Sequence, residues 1–230
     1  VFRIVAKSRF EITVPAKISD AAAKIISDNV KLFWNTDAKV FAVASGRVSL
    51  PDNDEGYVIR VRAAKVSITA KTLQGARYAT YTLRQLAEAE GMTEKTACFI
   101  LPCVDIEDAP AMPFRGVHSC YFPPPETSLV ELERQIRTAA YYKMNYAVLE
   151  SWGALRYESH PEYCWSDRAI PPYEMKRLVR LGKDLGITLF PQINIFGHAT
   201  QARAGTGKHV ILDKHPEFAP LFEPDGWCWC

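Results

Sequence analysis

Gln192, Asn194 and His198 follow one another within GITLFPQINIFGHATQAR, residues 186–203. They come just after a short apolar run, Ile187 to Phe190, that itself follows a glycine ending a helical pattern. Such a run reads as a buried parallel strand. In a strand–helix barrel the carboxyl ends of the strands carry the chemistry. Gln192 and Asn194 are two positions apart and face the same side, as neutral amides suited to sugar hydroxyls or to holding a loop. His198 offers either an imidazole at a strand end or a structural histidine bonded to backbone. Glu150 closes a second run, Tyr146 to Glu150, as a carboxylate that accepts from a hydroxyl or pairs with a Lys or Arg. Trp152 beside it is a stacking face for a pyranose ring or plain core. His118 ends a third run, Phe114 to His118. Arg115 near its start brings a planar guanidinium suited to two neighbouring hydroxyls, or to a bridge with Glu107 or Asp108. The chemistry of this set is hydrogen bonding and stacking on a neutral ligand.

Composition agrees with that class. The chain has 230 residues, 48% of them hydrophobic, enough for a core and for more than one domain. A net charge of +2, with Lys and Arg scattered, gives no footprint for nucleic acid. No apolar run approaches the roughly 18–20 residues of a membrane span. The opening VFRIVAKSRF lacks the apolar region of a signal peptide, but a processed chain would look the same, so the compartment is left open. His209 and His215 read as loop residues with no standard zinc spacing, and no cofactor is expected. Cys98 and Cys103 lie on one expected strand, roughly 16 Å apart, too far to bridge at a limit of about 7 Å. Cys228 and Cys230 flank Trp229; free thiols are the expectation there too.

The elements that must position these residues fall into two regions. Residues 1–108 read as a small α+β domain. Phe10 to Val14 and Val40 to Ser45 are strands, Asp20 opens a helix through Phe33, and Tyr57 to Ala63 pairs with Lys65 to Ala70 as a hairpin. Gly75 begins a helix that ends before Gly91, and Cys98 to Val104 is a further strand. Asp105 to Pro113, DIEDAPAMP, reads as linker, with 109–113 as the boundary between domains. From residue 114 to 230 the pattern becomes strand, helix, strand, helix, strand. Thr127 or Ser128 caps the first of these helices, running to about Lys143, and Pro171 and Pro172 open the second. Alternation of this kind implies a parallel sheet with right-handed crossovers. Three strands are fewer than half of a barrel that takes about 250 residues, so the natural polypeptide is expected to continue past Cys230, or another chain, such as a second copy, to complete it.

These segments resemble glycoside hydrolase family 20, the β-N-acetylhexosaminidases. EGYVIRV, ITAKTLQGARYATYTLRQL and ILPCVDIEDAP resemble the accessory domain that precedes the barrel in that family. FRGV resembles its first barrel strand, AAYYKMNYAVLE the entrance to its second, and PYEMKRLVRLGKDLGITLFPQINIFGHA its third, which ends P-E-x-D-x-P-G-H. The resemblance implies an α/β fold, the accessory domain followed by the first part of a (β/α)8 TIM-type barrel. It also implies removal of terminal N-acetylhexosamine, with the substrate's acetamido oxygen as nucleophile. Arg115 matches the family's sugar-binding Arg, and His198 its strand-three His. The catalytic Asp-Glu pair lies on the family's fourth strand and is expected beyond Cys230, so these residues alone are expected to be inactive. Cys120 stands where the family has Asp, and Gln192 and Asn194 stand for its Glu and Asp. Two other readings follow from those departures: a non-catalytic carbohydrate-binding relative, and a barrel glycosidase acting on non-acetylated sugars.

Overall fold

The computed structural model describes residues 2–4, 9–13, 26–27, 39–41, 50–63, 65–90, 99–119, 128–164, 169–193, 196, 202–203 and 208–229. The chain divides into two compact units, Val1–Pro113 and Phe114–Cys230.

The first unit is built on a mixed five-stranded sheet. Its strands are β2 (Arg9–Thr13), β3 (Lys39–Phe41), β4 (Tyr57–Arg62), β5 (Lys65–Ala70) and β7 (Asp105–Asp108), in the order β3-β2-β5-β4-β7. β2 runs parallel to β3 and β5, whereas β4 is antiparallel to β5 and β7. The hairpin reads directly from its alternation: Tyr57, Ile59, Val61, Val66, Ile68 and Ala70 are buried, and Arg60, Arg62 and Lys65 are exposed. A separate ladder pairs β1 (Phe2–Ile4) with β6 (Phe99–Leu101). Helix α1 (Leu73–Ala89) buries Ala76, Tyr78, Ala79, Leu83 and Ala87.

Three expectations for this unit need correction. α1 begins before Gly75, because the Thr72 hydroxyl accepts from the Gly75 N–H and caps the first turn. Gly75 answers a different need: a Cβ there would lie 2.5 Å from the Gly56 carbonyl. The strand expected over Cys98 to Val104 is described only as Phe99–Leu101. Asp105–Asp108, read as linker, is a strand on the edge of the sheet, since the Arg side chains of β4 neutralise it: Arg60 lies opposite Asp105, and Arg62 bridges Asp105 at 2.7 Å. The Asp20–Phe33 helix lies outside the described residues except at 26 and 27, which are helical.

The second unit holds a three-stranded sheet, β8 (Gly116–Ser119), β9 (Tyr146–Glu150) and β10 (Thr188–Gln192), in the order β10-β9-β8 and parallel throughout. Helix α2 (Leu129–Tyr141) connects β8 to β9, and α3 (Pro172–Leu185) connects β9 to β10. Ser128 caps α2 by accepting from the Glu131 N–H, and Pro172 starts α3, where its missing N–H costs nothing. Gly186, at φ 72°, ends α3 in the left-handed conformation. Ala147 and Leu149 of β9 are buried, as are Leu132 and Ile136 of α2 and Leu178 and Leu185 of α3, so one face of the sheet carries the core. Register and a period of two put Gly116, His118, Tyr146, Val148, Glu150, Thr188, Phe190 and Gln192 together on the opposite face. Beyond the sheet lie the two-stranded ladder β11 (Ala202–Arg203) and β12 (Lys208–His209) and the short helix α4 (Val210–Lys214). Among the described residues, no helix is long and apolar enough to cross a membrane.

Candidate functional site

Three polar side chains meet at the carboxyl end of this sheet, one from each strand. Glu150 and Gln192 are register partners as the last residues of β9 and β10. The ladder is prolonged there by a bond from the Ser151 N–H to the Gln192 carbonyl, 2.9 Å. His118 lies level with Val148 on the same face. Its Nε2 stands 2.6 Å from Gln192 Oε1 and 3.3 Å from Glu150 Oε1. The imidazole is 48% exposed, but the Glu150 side chain only 11%, so the carboxylate is held against the sheet while the ring remains open to solvent.

The strand positions beneath them are apolar and closely packed. The Tyr146 ring makes edge contacts with Phe114 at 6.3 Å and with Phe190 at 6.0 Å between centroids. Phe190 is nevertheless 48% exposed, and Ile193 and Phe196, which follow β10, are exposed as well. This face therefore offers apolar rings below and a small hydrogen-bonding group at the strand ends. Such a combination suits a ligand with an apolar ring face and polar edges.

Arg115 stands elsewhere, just before β8 at the amino end of the sheet. Its Nε donates to the Lys143 carbonyl at 2.9 Å, and its own carbonyl accepts from the Asn145 N–H at 2.8 Å. The structure thus brings Glu150 and Gln192 together with His118, and leaves Arg115 three residues from His118 along the strand. Trp152 opens a 3-10 turn, Trp152–Ala154, right after β9; its side chain lies outside the described residues, as do Asn194 and His198. The loop from β9 to α3 packs on its own aromatics. Tyr157 and His160 each meet the Tyr163 ring edge-on, at 6.5 and 5.2 Å, and burial pushes the Tyr157 phenol up. Cys103, Cys164 and Cys228 form no disulfide. Among the described residues no three His, Cys, Asp or Glu side chains are grouped to hold a metal ion.

The weight of His118 was hardest to see in the sequence. Its place two positions after Gly116 signals only the shared face; its meeting with Gln192 depends on a register spanning β9.

Comparison with known proteins bears on both units. Residues 6–109 match the family model "Glycosyl hydrolase family 20, domain 2". A protein of Porphyromonas gingivalis (strain ATCC BAA-308 / W83) named "Beta-hexosaminidase" is 29% identical over 208 residues, covering 78% of this chain and 26% of the relative. The fold is similar to a GH20 exo-β-N-acetylglucosaminidase from Vibrio harveyi, solved in complex with N-acetylglucosamine, with a TM-score of 0.68 at 18% identity over 97% of this chain and 36% of that one. It is also similar to the GH20 β-N-acetylhexosaminidase from Streptomyces coelicolor A3(2), with a TM-score of 0.69 at 20% identity over 99% of this chain and 47% of that one. The chain thus spans about a quarter of the curated relative's length and less than half of either solved structure. Residues 6–109 thus match the second domain of glycoside hydrolase family 20, and the chain shares the fold of solved GH20 enzymes.

Proposed function

We propose that these residues form the accessory domain and the opening strand–helix units of a TIM-type barrel glycosidase. In the whole protein, that barrel removes terminal N-acetylhexosamine from glycans or glycoconjugates by a substrate-assisted, retaining mechanism. The observation that carries the reading is the meeting of His118, Glu150 and Gln192 at the carboxyl ends of three successive parallel strands, where barrels of this type do their chemistry. One carboxylate, one amide and one imidazole supply acceptors and donors for the hydroxyls of an uncharged sugar. The exposed Phe190 ring on the same face offers apolar contact.

In this reading Glu150 and Gln192, with Asn194, His198 and Trp152 as further candidates, bind and orient the sugar, while Arg115 at the amino end of the sheet holds the Lys143 turn. The substrate's acetamido oxygen attacks the anomeric carbon, so no nucleophile is needed from the protein. The acid that protonates the leaving oxygen is assigned to none of these residues. A second reading, a carbohydrate-binding relative without catalysis, is favoured by one feature: Gln192 gives the strand end an amide where the resembled pattern has a carboxylate.

The test is release of nitrophenol from an aryl N-acetyl-β-glucosaminide by the whole polypeptide, alongside the same assay on the 230 residues alone. Turnover by the whole protein, inhibited more strongly by N-acetylated than by plain hexosides, is the expected result. Turnover by the 230 residues alone would overturn the assignment of the acid to another segment. Binding of N-acetylglucosamine without turnover by the whole protein would select the second reading.

A further inference from the structure

We infer that His118 touches the sugar itself, as a hydrogen-bond acceptor through Nδ1, and so selects a ligand with a hydroxyl or N–H donor at that point; the inference rests on the sugar-binding reading above. Nε2 is turned toward the neighbouring strands, 2.6 Å from Gln192 Oε1 and 3.3 Å from Glu150 Oε1. A carboxylate oxygen can only accept, so Glu150 alone decides where the ring proton sits: an unprotonated Nε2 would set its lone pair against that oxygen. A proton on Nε2 suits the carboxylate whatever else Gln192 touches. The neutral ring carries one proton, so Nδ1 is left as an acceptor.

Among the described residues, no side chain or backbone group uses that acceptor: the polar contacts of His118 all run through Nε2. The imidazole is 48% exposed, whereas the carboxylate that orients it is held against the sheet. The ring is therefore fixed on one side and open on the other. Phe190, exposed on the same face, adds apolar surface beside it. A sugar hydroxyl donates to Nδ1; a hydrogen or an ether oxygen in its place cannot. An acceptor of this kind rejects a deoxy or O-methylated sugar, because the site is then left with an unpaired polar atom.

The test is calorimetric titration of the whole polypeptide with N-acetylglucosamine and with analogues lacking one hydroxyl at a time. Two variants separate contact from support. In His118→Asn the side-chain oxygen reaches the place of Nδ1, and the donor toward Glu150 is lost. In His118→Gln the side-chain NH2 reaches the place of Nε2, and the acceptor is lost. His118→Gln should weaken binding about tenfold, the equivalent of one hydrogen bond, and His118→Asn by no more than about threefold. One deoxy analogue should bind the unaltered protein about tenfold more weakly and lose nothing further in His118→Gln. Protein labelled with 15N-histidine gives a second readout: the His118 signals, identified by their absence from His118→Gln, should show a protonated Nε2 and an Nδ1 that shifts with sugar. Unchanged affinity in His118→Gln, a larger loss in His118→Asn than in His118→Gln, or a proton on Nδ1 overturns the contact and leaves the sugar reading intact. An unaltered protein that shows the Nε2-protonated ring but binds neither N-acetylglucosamine nor any analogue overturns the sugar reading instead.

Discussion

The Tyr146 ring lies flat against Gly116 of the neighbouring strand: a Cβ built at residue 116 would stand 2.5 Å from Tyr146 Cδ2 and Cζ. Register places the two residues side by side on parallel strands, and the missing side chain of one is the space that the ring of the other fills. Phe114 and Phe190 hold that ring by edge contacts on the face that carries His118 two residues further on.

Gly116→Ala should therefore force the Tyr146 ring away and destabilise the second unit by about 1–3 kcal/mol, the usual cost of overpacking. Thermal unfolding of the variant measures it. The cause is separable, because Tyr146→Ala in the same chain removes the atoms in conflict, and the two substitutions together should cost less than their sum. Strict additivity would mean that the ring has room to move.

Lys143, two residues past the end of α2, stands at φ 60°, a left-handed conformation that a side chain resists. The turn is held by bonds from the Lys143 N–H to the Ala140 carbonyl and from the Met144 N–H to the Ala139 carbonyl. It also aims the Lys143 carbonyl at Arg115 Nε, 2.9 Å away. Lys143→Gly should relieve the strain and stabilise the second unit by about 0.5–1 kcal/mol, once the added freedom of glycine in the unfolded chain is deducted. Denaturant titration reads the gain as a higher midpoint at unchanged slope. A lower midpoint would show that the lysine side chain outweighs the strained turn.

Gly182 of α3 faces β10, where a Cβ would lie 2.8 Å from the Ile187 carbonyl and 3.0 Å from Leu189 Cγ. Ile187 cannot retreat easily, since its N–H donates to the Gly182 carbonyl at 2.8 Å. Gly182→Ala should push the helix off the strand at a cost of about 1–3 kcal/mol. Because β10 ends in Gln192, the side-chain amide signal of Gln192 should shift as well. An unshifted signal with the expected loss of stability would confine the strain to the helix.

Local chemistry was legible in the sequence, and long-range register was not. The capping hydroxyl of Ser128, the prolines opening α3 and the αL residue Gly186 are each decided within a few residues, so their elements fell where the sequence placed them. The β4–β5 hairpin was legible for the same reason. The parallel pairing of β2 with both β3 and β5 has no local signal, because its partners lie far apart along the chain. Asp105–Asp108 was misread because acidic residues and the nearby Pro110 and Pro113 look like linker, whereas the positive charges that make it a strand sit on β4, some forty residues earlier. At the candidate site, residue type pointed to Glu150 and Gln192 singly. Only the register of three strands reveals that His118 reaches both.

Tyr57 gives the first unit a predictable response to alkali. Its side chain is fully buried; the hydroxyl bonds to Asp108 and lies 2.6 Å from Thr82 Oγ1. Burial, with the Asp108 carboxylate beside it, pushes the phenol far above the usual tyrosine range. The folded state thus keeps the neutral form while the unfolded chain ionises at about 10. Stability from this group is fully present below that value and falls as pH rises above it, since the unfolded state then gains by losing a proton that the folded state retains. Tyr57→Phe should cost about 1–2 kcal/mol at neutral pH, as a buried hydrogen-bonded pair is broken. Above about pH 10 its stability should fall less steeply than that of the unaltered chain, and the two curves should converge. Denaturant midpoints collected from pH 7 to 11 decide the matter. Parallel curves over that interval would show that Tyr57 ionises in the folded protein as readily as in the unfolded one.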